Sequence, residues 1–198
     1  FYKCPQCPFP VCYSTQPICT ACGGKSELSR VVSFVDSPGH ESLMANMLSG
    51  AALMDGAILV IAANEKVPQP QTREHLLALQ VLGIQQIVLV QNKVDLTEYE
   101  EALDNYSQIK GFIKGSIADN APVIPVSAQH NLNVDALIGA IENSIKTPSR
   151  LKSASPIMHI LRSFDINKPG ISIKQARGGV VGGALVQGEF SLGDEIEI

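Results

Sequence analysis

Three short clusters in this sequence have residue types and spacing suited to chemistry: Asp36-Ser37-Pro38-Gly39-His40, Asn92-Lys93-Val94-Asp95 and Ser127-Ala128. Each follows an apolar run that reads as a buried strand, so each sits where a strand gives way to a loop. D-x-P-G, N-K-x-D and a serine–alanine loop, in that order, solve one problem: holding a guanine nucleotide and sensing its terminal phosphate. Singly, each also reads as an ordinary turn, Pro-Gly above all.

The chemistry of each residue follows from its donors and acceptors. Asp36 would hold Mg2+ through water. Gly39 offers an amide to a γ-phosphate with no side chain in the way, and Pro38 restricts the loop. His40 then stands where it can orient an attacking water. Asp95 has two carboxylate oxygens for the ring N–H and exocyclic amine of guanine, a pair of donors that adenine lacks. Lys93 lays its aliphatic stem on the base. Asn92 ties neighbouring loops, and Ser127-Ala128 adds a backbone amide near the guanine oxygen. The nucleotide-contacting set is Asp36, Gly39, Asn92, Lys93, Val94, Asp95, Ser127, Ala128 and Gln129, with His40 as the catalytic residue.

A second constellation opens the chain. Cys4-x2-Cys7 and Cys19-x2-Cys22 bring two sulfurs each to one side of a tight turn, the arrangement of a tetrahedral Zn2+ site. Iron, or an empty reduced site, uses the same thiolates. Gly23 and Gly24 let backbone amides turn toward sulfur. Cys12 lies outside both turns and reads as a spare thiol or a small buried hydrophobe. The Pro-rich stretch between the pairs is too short for a core, so metal would supply ordering free energy on the order of 10 kcal/mol. Gly24-Lys25-Ser26 mimics the end of a phosphate loop, but the first glycine of that pattern would fall on Cys19, and a strand rather than a helix follows.

The elements that must position these residues follow from periodicity. Strands are expected at Val31–Val35, Gly56–Ala62, Ile87–Val90 and Val123–Val126, the second continuously apolar as if buried on both faces. Helices are expected over 41–52, over 72–82 (capped by Thr72, with Leu76, Leu79, Val81 and Leu82 inward), over 97–115 and over 134–145. Alternating strands and helices make an α/β fold, a doubly wound parallel sheet whose carboxyl edge carries the motifs. A polar, Pro-bounded linker spans 148–156. The runs at 157–164, 171–174, 178–186, 190 and 195–198 then read as the start of a β-barrel domain. The expected division is 1–27 zinc knuckle, 28–147 nucleotide domain, 148–156 linker and 157–198 barrel.

Bulk properties bound the rest. At 198 residues and 45% apolar, the chain buries a real core. A formal charge of −4 argues against nucleic-acid binding by bulk electrostatics alone. Five cysteines without a signal peptide point to the cytosol. No apolar run approaches the roughly 18 residues of a membrane span. Without an initiator methionine, and ending in mid-alternation, the sequence reads as an excerpt. No G-x-x-x-x-G-K-[ST] is present, so hydrolysis by the chain alone is not expected.

These residues carry a family resemblance. Asp36–Glu41, Leu48–Ala57, Pro68–His75, Val90–Asp95, Arg162–Gly170 and Gly178–Gly183 together resemble the gamma subunits of archaeal and eukaryotic translation initiation factor 2, relatives of elongation factor Tu. The cysteine knuckle ahead of D-x-P-G-H separates the two families. The resemblance implies a GTP-dependent carrier of initiator methionyl-tRNA, working with alpha and beta subunits on the small ribosomal subunit. It implies GTP/GDP, Mg2+ and Zn2+ as cofactors, a β-barrel second domain and His40 as the water-orienting histidine. Two other readings use the same residues: a different translational GTPase of the elongation factor type, and a zinc-stapled protein-interaction module without nucleotide chemistry.

Overall fold

The computed structural model describes residues 1–37 and 54–198, which divide into two compact units, 1–37 with 54–147 and 148–198. In the first, β4 (Ala57–Ala62), β5 (Ile87–Asn92) and β6 (Val123–Pro125) form a parallel sheet in the order β4-β5-β6. Helices α1 (Pro70–Val81), α2 (Tyr99–Ile113) and α3 (Val134–Ser144) connect or follow these strands.

β5 is bonded on both edges and covered on both faces, as its sequence Ile-Val-Leu-Val demands. Ile87 and Leu89 join Leu59, Ile61, Leu76, Leu79, Ile109 and Ile113 in one core. Val88 and Val90 alternate to the other face, where α3 packs. β4 differs from expectation. Leu59 and Ile61 are buried, but Val60 is 56% exposed, so one face of this strand is closed and the other is open among the described residues.

Other expectations shift for local reasons. α1 begins at Pro70 rather than Thr72, because proline supplies the preset φ and lacks only an N–H that the first turn leaves unpaired anyway. Val81, expected inward, is exposed at the last turn, while Leu82 packs on the core. α2 begins inside a capping box in which the Glu98 and Glu101 side chains each accept a backbone N–H of the other. The run 31–35 forms no strand: Val31, Phe34 and Val35 are exposed, and no described backbone lies beside it to satisfy its N–H and C=O groups. The helix expected over 41–52 lies outside the described residues.

Ahead of the sheet, β1 (Tyr2–Lys3), β2 (Tyr13–Ser14) and β3 (Glu27–Leu28) form a small antiparallel sheet in the order β2-β1-β3. It docks on α3. Gly139 of α3 faces the Phe9 and Tyr13 rings, and a Cβ there would come within 2.6 Å of Phe9. The exit from this subdomain is clasped to the end of the same helix. Arg30 Nε donates to Glu142 Oε1 at 3.0 Å, Ser29 Oγ donates to Glu142 Oε2 at 2.7 Å, and Arg30 also donates to the Ile141 and Ile145 carbonyls. A cation on the last carbonyls satisfies acceptors that the helix leaves open and opposes its dipole.

In the second unit, β7 (Ile157–Phe164) pairs antiparallel with β8 (Val180–Gln187), with irregularities at Ile157/Met158 and Ile160/Arg162. Gly183 crosses so close to the His159 carbonyl that no side chain fits. The Asn167 side chain closes the intervening loop, bonding the Arg177 N–H at 2.8 Å and its carbonyl at 3.0 Å. The strand-like runs at 171–174 and 195–198 are not strands. Ile173–Gln175 forms a 3₁₀ turn, and Glu195–Ile198 finds no pairing partner among the described residues.

Arg30→Ala removes the clasp and leaves Glu142 and the Ile145 carbonyl without their cation. Denaturant unfolding of the variant should show a loss of about 1–3 kcal/mol, the range for a hydrogen-bonded, partly buried charge.

Candidate functional site

The two expected cysteine pairs converge at one point. The sulfurs of Cys4, Cys7, Cys19 and Cys22 all lie within 4.8 Å of one another, with Cys4–Cys22 at 3.6 Å and Cys7–Cys19 at 3.7 Å. A tetrahedron with Zn–S of about 2.3 Å has edges of about 3.8 Å, so this cage fits the ion. Cys4 and Cys19 are buried, and Gly24 donates its N–H to Cys22 Sγ at 3.4 Å. Gly23, at φ +73°, instead turns its N–H to the Cys19 carbonyl. Cys12 is buried beside the cage, where its N–H and carbonyl bond Pro8 and Cys4.

The crowded thiols differ in how readily they give up a proton. The neighbouring Cys22 and Cys19 thiols push Cys7 up to about 12. The backbone N–H groups of Cys22 and Ala21 hold Cys19 down to about 7. A bound divalent cation would take the place of the shared protons, so loading releases protons and weakens as pH falls.

The nucleotide motifs gather at the carboxyl edge of β5 and β6. Asn92 ends β5, and its Oδ1 accepts the Ala128 N–H at 3.1 Å, joining the two loops. Lys93 turns the chain through the left-handed region at φ +64°, and the 3₁₀ turn Val94–Leu96 carries Asp95. The Val94 N–H bonds the Val126 carbonyl at 3.3 Å, and the Val126 N–H bonds the Gln91 carbonyl at 2.8 Å. Ser127 is fully buried and pairs backbone to backbone with Leu132, folding 127–132 into a closed loop around Gln129.

Asp95 is held ionised. The Ser127 hydroxyl, then its own backbone N–H and the charge of His130, keep its carboxyl below the usual carboxylate value despite partial burial. Its side chain is 23% exposed, with Oδ2 3.7 Å from His130 Nε2. A cleft of about 320 Å³ opens beside Asn92 and Lys93, walled by the end of β4 and by Lys66, Gln71 and His75.

Sequence reasoning passed over the groups that fix the end of β5. Gln91 is buried, and its Nε2 donates to the Ala102 carbonyl and to Asn105 Oδ1, both at 2.8 Å. Asn105 Nδ2 donates in turn to the Glu65 carbonyl at 2.7 Å and the Ala62 carbonyl at 3.3 Å. Their signal was a polar residue closing an apolar strand and an asparagine in a helix interior. His130 was also missed. Asp36 is described and exposed, whereas the expectations for Gly39 and His40 lie outside the described residues.

A parallel sheet that presents N-K-x-D and a serine–alanine loop on adjacent strand ends defines a guanine-nucleotide-binding domain. The family model described as the elongation factor Tu GTP-binding domain matches residues 15–147, and the chain belongs to that family. Within it, the chain is 61% identical over all 198 residues to translation initiation factor 2 subunit gamma of Methanosarcina mazei, covering 46% of that protein. It is also 61% identical over 196 residues to the same subunit of Methanocaldococcus jannaschii, covering 47%. The chain thus spans about half the length of these relatives. Among solved structures, it is similar to translation elongation factor SelB of Methanococcus maripaludis. The apo form gives TM-score 0.62 at 31% identity, over 81% of this chain and 34% of that one. The complex with the GTP analogue GppNHp gives 0.65 at 30% identity, over 80% and 34%.

Loading the protein with Co2+ should give one equivalent per chain with tetrahedral thiolate absorption. Cys19→Ser should abolish that spectrum and Cys12→Ala retain it; loss in Cys12→Ala would mean that the wrong sulfurs have been assigned.

Proposed function

We propose that this chain is the nucleotide-reading part of a GTP-binding translation initiation factor subunit, which carries initiator methionyl-tRNA to the small ribosomal subunit and releases it on GTP hydrolysis. The observation that carries the proposal is the Asn92–Ala128 bridge. It sets the ionised Asp95 carboxylate, the Lys93 turn and the closed loop of Ser127, Ala128 and Gln129 side by side on one sheet edge. That geometry suits a planar base with two adjacent N–H donors. The identity to initiation factor 2 gamma subunits over the whole chain exceeds that to SelB, which favours initiation over selenocysteine insertion.

On this reading GTP or GDP lies across the edge with its base at Asp95. Asn92 and Val94 fix the turn, and the Lys93 stem covers the base. Asp36 serves a water-bound Mg2+, which would neutralise phosphate charge when bound. Gly39 gives an amide to the γ-phosphate, and His40 orients water. The knuckle of Cys4, Cys7, Cys19 and Cys22 holds a structural Zn2+. Segment 1–27 is an insertion in the nucleotide domain of 28–147. The linker 148–156 leads into the first strands of a β-barrel at 157–198. The partners are the alpha and beta subunits of the same cytoplasmic factor.

The test is fluorescent GDP binding by the full-length protein that carries this chain, beside its Asp95→Asn variant. The wild type should bind GDP, and the variant should weaken toward GDP and gain affinity for xanthosine diphosphate, whose ring presents an acceptor where guanine has its amine. Absence of GDP binding would point instead to a zinc-stapled interaction module.

A further inference from the structure

We infer that Gln91 and Asn105 are positioning residues for guanine selection. Their buried amide pair braces the turn that carries Asp95, and so sets how fully its carboxylate tells guanine from a base without an exocyclic amine. The role rests on the base-reading part proposed for Asp95. Both side chains are interior, Gln91 at 2% exposure and Asn105 at 3%, so they act through the turn rather than on the base.

The brace joins the two ends of one segment. Gln91 stands just before Asn92, and its Nε2 donates to the Ala102 carbonyl of α2, eleven residues on, at 2.8 Å. Asp95 lies between them in the 3₁₀ turn Val94–Leu96. Toward β6 this turn is held by the Asn92–Ala128 and Val94–Val126 bonds, and toward α2 it is tied by the Gln91 strut. Asn105 carries the strut further. Its Oδ1 accepts the second Gln91 N–H at 2.8 Å, and its Nδ2 donates to the Ala62 and Glu65 carbonyls. Three residues along α2, Gln108 Oε1 accepts the Val67 N–H at 3.0 Å. Glu65 and Lys66 of this gripped loop line the cleft beside Asn92 and Lys93. The base-reading turn and the cleft wall are thus fixed to one helix.

The hydrogen bonding demands an amide at both positions. The Ala62, Glu65 and Ala102 carbonyls only accept, so each side chain must present its NH2 to them. All four side-chain N–H groups are then spent, and the Asn105 oxygen is left to face Gln91. An ionised carboxylate at either position has no N–H to give. Guanine selection depends on this bracing because two donors of the base must meet both Asp95 oxygens in line, and hydrogen bonds weaken steeply as their angle departs from linear. A base that offers the ring N–H alone can re-aim its single bond when the carboxylate drifts. Loosening the turn therefore costs GDP more than inosine diphosphate, which lacks the amine.

Binding of GDP and of inosine diphosphate, and unfolding in urea, are measured on the full-length protein that carries this chain, beside Gln91→Met, Asn105→Leu and the double variant. The wild type should prefer GDP by about ten- to a hundredfold, the worth of one hydrogen bond to a charged group. Each single variant strands a buried polar partner and should lose both stability and part of that preference. In the double variant both partners become apolar side chains of similar shape, so most of the lost stability returns. Its preference for GDP should stay about tenfold below that of the wild type. A double variant that regains the full preference assigns the pair to the fold alone and overturns the inference. Single variants that weaken both nucleotides by one factor, or a double variant that does not fold, overturn it in the same way. A wild type that binds the two nucleotides equally, or neither, removes the base-reading role of Asp95 itself, which keeps the two failures apart.

Discussion

The sheet exposes its loops to one requirement: every N–H and C=O at the carboxyl edge of β5 must find a partner once the strand has no more neighbours to pair with. β5 is the central strand of the parallel sheet, bonded along both edges, and its last two residues are polar. Gln91 turns inward to Asn105 and so reaches α2 and the loop after β4. Asn92 turns across the edge to Ala128. One asparagine and one glutamine thereby convert the end of a buried strand into the fixed point from which both base-side loops hang. Because the Gln91–Asn105 pair is buried, either partner alone would be left with unsatisfied amide groups, so the arrangement tolerates little drift.

Much of this was legible in sequence, and the reasons for the remainder are physical. The continuous apolar run of 87–90 fixed β5 and put Asn92 at its end, since a strand covered on both faces leaves little other choice. The two C-x-x-C pairs announced a cage because their spacing is itself a geometry. The run 31–35 failed as a strand because β-branched composition describes a preference, whereas a strand needs a neighbour. The same holds at 171–174 and 195–198. The Gln91–Asn105 pair was invisible for a related reason: residue type signals a donor and an acceptor, but not that two amides fourteen positions apart will meet. Thr72 yielded to Pro70 at the head of α1, where two acceptable start signals lay two residues apart and the backbone preference of proline prevailed.

The knuckle and the nucleotide domain share more than chain connectivity. Cys4, Cys12, Cys19 and Tyr13 pack in one cluster with Ile138, and Val134 lies against it. Val134 opens α3 directly after Asn133, whose side chain bonds the Pro125 carbonyl at the end of β6. The thiolate cage is therefore built against the helix that ends the serine–alanine loop, and its hydrophobic side is part of that helix's own packing.

α3 has a further property as a length. Its first turn follows the base-side loop, and its last carbonyls are gripped by Arg30, which precedes Asp36 in sequence by only six residues. Eleven helical residues span about 16 Å. The helix is therefore a spacer of set length between the base-side loop and the clasp from which the chain runs on toward Asp36. One residue added within it would turn its far end by about 100° and carry the carbonyls away from the guanidinium. A residue added within 148–156, beyond the clasp, would leave this span unaltered. For this domain, the length of one helix is as much a part of the site as any side chain in it.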